Sequence, residues 1–354
     1  MKFGSDVYWC ANSVLCEGTT FLSLSLSLSL SLSLSLSLSL SLSLENNKLI
    51  RQYQSVFRPD HSCHTALTIL CDGWLSAIYS SEMVGTGFLD FKKAFNLVDH
   101  SILLKKLSLY VKDSSSLAFF HSCLTNKPHY VFLNNESLSK GLVRYMVPQG
   151  YVLGQLLFCI FINDLPLHIS NDKVSKDLFA GDSSLHIRGK NIQLVETSLQ
   201  GSPNEVADWC GSNSMIIHPA KTKDMVIATR QKPQLSPLQL RLTLEKTDIE
   251  QIHEHRVPGV TIDAWMKWRS KLSNVCKIVS RNMFLLSQLR YYVNVKARKL
   301  FYSAHILSHV NYASTLWDGC SEVHLKKIWV DFIVEQHTHS FWPIYTHRWQ
   351  TKNS

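Results

Sequence analysis

The chain has 354 residues, 45% hydrophobic and 18% charged, enough to bury one large core or two modest ones, so a wholly disordered or collagen-like chain is excluded. Its formal charge is +9, and because residues 1–46 hold one lysine against three acidic residues, the positive excess lies in the remainder. Such an excess suits a polyanionic partner, and equally an ordinary solvated surface. Nine cysteines without a CxxC pair or regular spacing argue against a disulfide framework or a zinc cluster and point to a reducing, intracellular compartment.

From Leu22 to Leu44 the chain alternates Leu and Ser without a break, twelve against eleven. A helix of that length measures about 35 Å, enough to cross a bilayer core of about 30 Å. Nearly half of its side chains are hydroxyls and no basic segment precedes it, so neither a signal peptide nor a membrane span is expected. Strict period two puts every Leu on one face of a strand, an aggregation hazard, and a repeat of T and C in coding DNA reads as Ser-Leu. Residues 1–46 are therefore expected to be a low-complexity, disordered leader outside the functional domain.

Met83 to Phe91, MVGTGFLDF, predicts a buried strand ending near Asp90. Asp90 lies in an apolar context, where both a metal-binding role and a capped or paired structural role fit. Asp99-His100-Ser101 predicts a helix start, followed by Ile102, Leu103, Lys106 and Tyr110 at helical spacing. In VPQGYVLGQLLFCIFINDL (147–165), Pro148-Gln149-Gly150 predicts a turn, and Leu156, Leu157, Ile160 and Phe161 the apolar stripe of a following helix. DLFAGDSSLHI (177–187) predicts a β-hairpin with a carboxylate at its tip. Gly201-Ser202-Pro203 is expected to break one amphipathic helix running from Ile192 to Trp209, because an interior proline costs about 3 kcal/mol. Residues 266–309 read as two basic amphipathic helices.

Taken together and in order, these segments resemble the palm motifs of reverse transcriptases from non-LTR (LINE-type) retrotransposons. FLDFKKAFNLVDH resembles the first palm motif and VPQGYVLGQLLFCIFINDL the second, while FAGD stands where the family usually has Tyr-Ala-Asp-Asp. YQSVFRPDHSCHTAL (53–67) resembles the fingers segment, HPAKTKDMVI (218–227) the lysine-containing fourth motif, and HRVPGVTID (255–263) the hairpin after it. The likeness runs from about Gln52 to about Lys327. It implies an α+β right-hand polymerase with fingers and palm over 47–263, a ferredoxin-like antiparallel palm sheet, a partial basic thumb of helices over 264–328 and an unassigned tail over 329–354. No endonuclease segment is read before the fingers, so genome insertion by this chain alone is not expected.

The resemblance implies template-directed nucleotidyl transfer on an RNA template, a DNA primer and deoxynucleoside triphosphates. Two Mg²⁺ or Mn²⁺ ions about 3.5–4 Å apart serve the attacking and leaving oxygens. In the family the ligands are one aspartate on the first palm strand and two consecutive aspartates on the hairpin. Here Gly181 replaces the first of that pair, leaving Asp90 and Asp182 as metal ligands and catalytic carboxylates. Asp177 is the nearest spare carboxylate, but ~13 Å of extended strand separates it from position 181. By the same resemblance Arg58 would meet the triphosphate, Phe95 would lie under the sugar, Gln149 and Gly150 would let the backbone approach the nucleotide, and Lys221 would donate a proton near the leaving pyrophosphate. Lys267, Arg269, Lys271, Lys277 and Arg281 would grip duplex phosphates. Val56, Asn96, Tyr151, Gln155 and Pro258 also depart from the family pattern. The expected protein is an impaired or inactive RNA-directed DNA polymerase; a non-catalytic RNA/DNA-binding protein and an unfolded translated relic are the rivals.

Overall fold

The computed structural model describes residues 35, 37–55, 57–125, 128–129, 132–133, 136–137, 141–147, 152–229, 239–289 and 291–317. Helix α1 (37–46) comes first. Helix α2 (Cys63–Tyr79) starts at Ser62, which shares a reciprocal capping box with Thr65. Strand β1 (Met83–Asp90) leads through a 3-10 turn (Ala94–Leu97) to α3 (His100–Tyr110) and α4 (Ser114–Leu124). Four two-residue strands follow: β2 (Pro128–His129), β3 (Phe132–Leu133), β4 (Glu136–Ser137) and β5 (Gly141–Leu142). Then come α5 (Val152–Ile162), α6 (Leu165–His168), the hairpin β6 (Ser175–Phe179) and β7 (Asp182–Gly189), α7 (Ile192–Leu199), α8 (Ser202–Ser212) and β8 (Lys223–Ile227). Short β9 (Thr243–Leu244), β10 (Thr247–Asp248) and β11 (Glu250–Gln251) precede a second hairpin, β12 (Glu254–Val257) and β13 (Val260–Asp263). The chain then runs through α9 (Arg269–Leu289), α10 (Val295–Tyr302), a π-helical turn (Ser303–Leu307), α11 (Ser308–Asn311) and α12 (Ser314–Trp317). No helix among the described residues is long and apolar enough to cross a membrane.

The main sheet has the order β11-β8-β1-β7-β6, and β1 runs antiparallel to both β7 and β8. With α5 between β1 and β6, and α7 and α8 between β7 and β8, its four long strands form the βαββαβ ferredoxin-like arrangement. As the central strand, β1 is buried on both faces. Met83 and Leu89 enter one core with α3, α5, α7 and α8, whereas Val84 and Phe88 enter a second core with α2, β13 and α12. Gly85 permits the first packing, because a Cβ there would lie 2.3 Å from Val195 of α7. The second motif's helix, α5, is buried on nearly every side rather than along one stripe, as suits a helix that is apolar all round.

One expectation is corrected. The boundary at residue 46 fails: α1 is built from the end of the Ser-Leu run, and Leu40 and Leu44 are buried in the same core as the palm. Period two makes every fourth residue a Leu, so the run also supplies a helical i, i+4 stripe; the intervening Leu38 and Leu42 stay 61% and 47% exposed. The expected break at Gly201-Ser202-Pro203 is present. Two helices meet there, and Pro203 lies in the first turn of α8, where its missing N–H has no helical partner to lose.

Candidate active site

Ala180 and Gly181 form the turn of the β6–β7 hairpin, with Ala180 at φ +56°. Asp182 opens β7 directly opposite Asp90 at the end of β1. Facing residues of an antiparallel pair have Cα atoms about 4.5–5.5 Å apart, so the sheet itself brings the two carboxylates together on one face. Burial, and then the Asp90 charge, raise the Asp182 carboxyl above its ordinary value. The segment after α8 is laced to the end of β1 by His218 N donating to Asp90 O (2.8 Å) and Lys92 N donating to Ile216 O (2.8 Å). That lacing carries Lys221 to the site, with its Nζ 3.4 Å from Asp90 Oδ2.

Asp90, Asp182 and Lys221 line a cleft of about 270 Å³. Its wall includes Phe88, whose ring stacks on His255 of β12 at 3.9 Å and 18°. Burial pushes His255 down to about 4, so the imidazole is neutral near pH 7. His61, His255 and Arg256 line the cleft without having been assigned roles from the sequence. The two on β12 belong to a recognised motif, but only the folding of that hairpin over the sheet shows which of its side chains reach the carboxylates.

Arg58 is absent from this wall, although Ser55 and His61 of the same segment line it. Its guanidinium is clamped on Glu45 of α1. Phe95 packs at the core edge, stacked on Phe158 at 4.3 Å. Gln149 and Gly150 lie outside the described residues, as do Val56, Tyr151 and the tail 329–354. Asp177 lines the cleft, yet its Oδ2 is 3.1 Å from His186 Nδ1. Among the basic residues, Lys267, Arg269, Lys277 and Arg281 are exposed, the last three along α9. Lys271 departs from that pattern: its ammonium lies 5.2 Å over the Tyr312 ring, and burial, with Arg256 nearby, lowers its pKa.

A ferredoxin-like sheet with facing aspartates at the end of its central strand and at its hairpin is the palm of a right-hand polymerase. Residues 36–277 match the family described as "Reverse transcriptase (RNA-dependent DNA polymerase)", and the chain belongs to that family, in its non-LTR, LINE-type branch. The probable RNA-directed DNA polymerase from transposon BS of Drosophila melanogaster is 25% identical over 259 residues, covering 72% of this chain and 28% of that protein. The RNA-directed DNA polymerase from mobile element jockey of the same species is 23% identical over 291 residues, covering 79% and 31%. The chain thus spans less than a third of the length of these relatives. Among solved structures, apo telomerase from Candida tropicalis aligns with a TM-score of 0.47 at 10% identity, over 66% of this chain and 44% of that one.

Reverse transcriptases work with divalent metal ions. Asp90 Oδ2 is buried, accepts no hydrogen bond from the described residues and has only the Lys221 ion pair among them; it stands in register with Asp182, an arrangement that fits one divalent cation. No group of three His, Cys, Asp or Glu side chains suited to a metal occurs among the described residues.

Proposed function

We propose that this chain is the reverse transcriptase domain of a LINE-type RNA-directed DNA polymerase, serving an RNA template, a DNA primer and deoxynucleoside triphosphates, and that Gly181 leaves its nucleotidyl transfer impaired. The carrying observation is the Asp90–Asp182 register beside Lys221 in one cleft. Asp90 and Asp182 would hold one Mg²⁺ or Mn²⁺, which supplies charge neutralisation at the reacting phosphate. Lys221 stands on the cleft wall as the proton donor for the leaving pyrophosphate. Phe95, Gln149 and Gly150 belong to the nucleotide pocket, Arg58 to the triphosphate, and the exposed face of α9 to the duplex phosphates. Fingers and palm extend from about residue 36 to 263 and the basic thumb from 264 to 328.

The test is restoration of the missing carboxylate. A Cβ at position 181 meets only Ala94 Cβ, at 3.4 Å, an ordinary contact, so the backbone there accepts the Cβ of Gly181→Asp. Primer extension on an RNA template, run with Mg²⁺ and with Mn²⁺, should be undetectable for the unmodified chain and appear with Gly181→Asp. Robust extension by the unmodified chain would overturn the impairment.

One observation favours a second reading, a non-catalytic RNA/DNA binder: the Lys221 ammonium already neutralises Asp90. Salt-dependent binding of an RNA:DNA duplex, with no extension by either chain, supports that reading.

A further inference from the structure

The guanidinium of Arg58 is held from two sides. Its Nε donates to Glu45 Oε1 at 2.6 Å and its Nη2 to Glu45 Oε2 at 2.8 Å, a bidentate fork. Its Nη1 donates to the carbonyls of Arg51 (3.2 Å) and Gln54 (3.1 Å). Four of the five guanidinium N–H groups are therefore satisfied inside the chain, and the side chain is only 14% exposed. Glu45 stands in the last turn of α1, where the helix dipole disfavours an anion, so its carboxylate depends on Arg58 for compensation. α1 is fixed in turn by the burial of Leu40 and Leu44. The neighbours Ser55 and His61 face the catalytic cleft while Arg58 is turned toward α1.

We propose that Glu45 is a positioning residue that masks Arg58, its carboxylate standing in for a phosphate, so that a nucleoside triphosphate must exchange with Glu45 to reach the guanidinium. This rests on the nucleotide-binding reading above and names a residue, at the end of the Ser-Leu run, that sets triphosphate affinity. A planar bidentate carboxylate and a phosphate oxygen pair offer the fork the same hydrogen-bond geometry. The exchange moves no covalent bond. It also explains a bidentate arginine pair between the fingers segment and a helix that carries no other assigned role.

The whole chain, Glu45→Gln, Glu45→Asp, Arg58→Ala and the Glu45→Gln/Arg58→Ala double variant are titrated calorimetrically with dATP and with inorganic triphosphate, each with Mg²⁺, and melted in parallel. Glu45→Gln should bind both probes roughly tenfold tighter (about 1.4 kcal/mol) even as its melting temperature falls. A purely structural role predicts weaker or unchanged binding instead. The double variant should lose the gain, and Glu45→Asp, which shortens the carboxylate arm but keeps α1 charged, should show a smaller gain and remains informative if Glu45→Gln does not fold. Equal dATP affinity for the unmodified chain and both Glu45 variants overturns the masking and leaves the nucleotide site standing. Binding of dATP by none of the chains overturns the nucleotide site, and the masking with it.

Discussion

Asp224 is the most perturbed buried acid that the catalytic reading does not use. It lies in β8 opposite Gly87 of β1, is fully buried, and neither carboxylate oxygen has a hydrogen-bond partner among the described residues. Burial first, and then the charge of Glu196, push its carboxyl from 3.8 up to about 7. The folded chain therefore keeps this proton at pH values where the unfolded chain has released it. The contribution to stability is intact below 3.8 and declines as the pH rises, levelling off above about 7. At about 1.4 kcal/mol per pH unit, the decline between about pH 4.5 and about pH 7.5 is roughly 3 kcal/mol. Asp224→Asn keeps the shape and removes the titration. Urea unfolding of both proteins across that range should show the Asn variant gaining on the unmodified chain by roughly 3 kcal/mol from the acidic to the neutral end. Parallel pH profiles would mean that Asp224 ionises freely in the folded state, and the burial argument would fail.

Three further outcomes follow from the packing. Gly85→Ala forces a methyl group against Val195 and should cost about 1–3 kcal/mol in denaturant unfolding; adding Val195→Ala should recover part of the loss, and simple additivity of the two would refute the contact. Lys106 donates to Phe161 O and to Asp164 Oδ1, both at 2.7 Å, so Lys106→Met removes a donor from the Phe161 carbonyl, while the Asp164 carboxylate, 45% exposed, keeps water and Trp209 Nε1. The expected loss is about 1–2 kcal/mol, from the Phe161 carbonyl more than from the half-exposed ion pair, and a change under about 0.5 kcal/mol would show the pair to be an ordinary surface one. His255, held at about 4 against an ordinary 6.5, resists the proton that the unfolded imidazole accepts, so stability falls as the pH drops from 6.5 toward 4. An NMR titration of its ring should show a midpoint near 4, whereas a midpoint near 6.5 would place the ring in water.

The parts of the site that were legible in the sequence are those encoded by one stretch of chain. MVGTGFLDF reads as a buried strand because its apolar run is short and ends in a charge, and DLFAGDSSLHI reads as a hairpin because two apolar runs flank a small-residue turn. Their pairing places Asp90 against Asp182, and the order of the motifs was enough to anticipate it. What was not legible depends on partners distant in the chain. The Ser-Leu run has no preferred reading from its period, since alternation serves a strand face and a helix stripe alike; the docking of Leu40 and Leu44 against the palm core decides it.

The cations make the same point more sharply. Arg58, Lys106, Lys221 and Lys271 are one class of residue by composition, yet they end in four environments. Arg58 is locked on a carboxylate 13 residues upstream, and Lys106 is drawn into the core by Asp164, 58 residues on. Lys271 is laid over the Tyr312 ring. Lys221 alone of the four reaches Asp90, with its side chain 65% exposed. A net charge of +9 thus overstates the positive surface open to a polyanion near the cleft. Arg269, Lys277 and Arg281, on the solvent face of α9, are exposed and can meet phosphate directly. Charge-reversal of that face should therefore flatten the salt dependence of duplex binding by about one unit of slope per residue. The same change at Lys106 should act on stability and leave the slope as it was, and equal effects on the slope at both places would refute this division between working and structural cations.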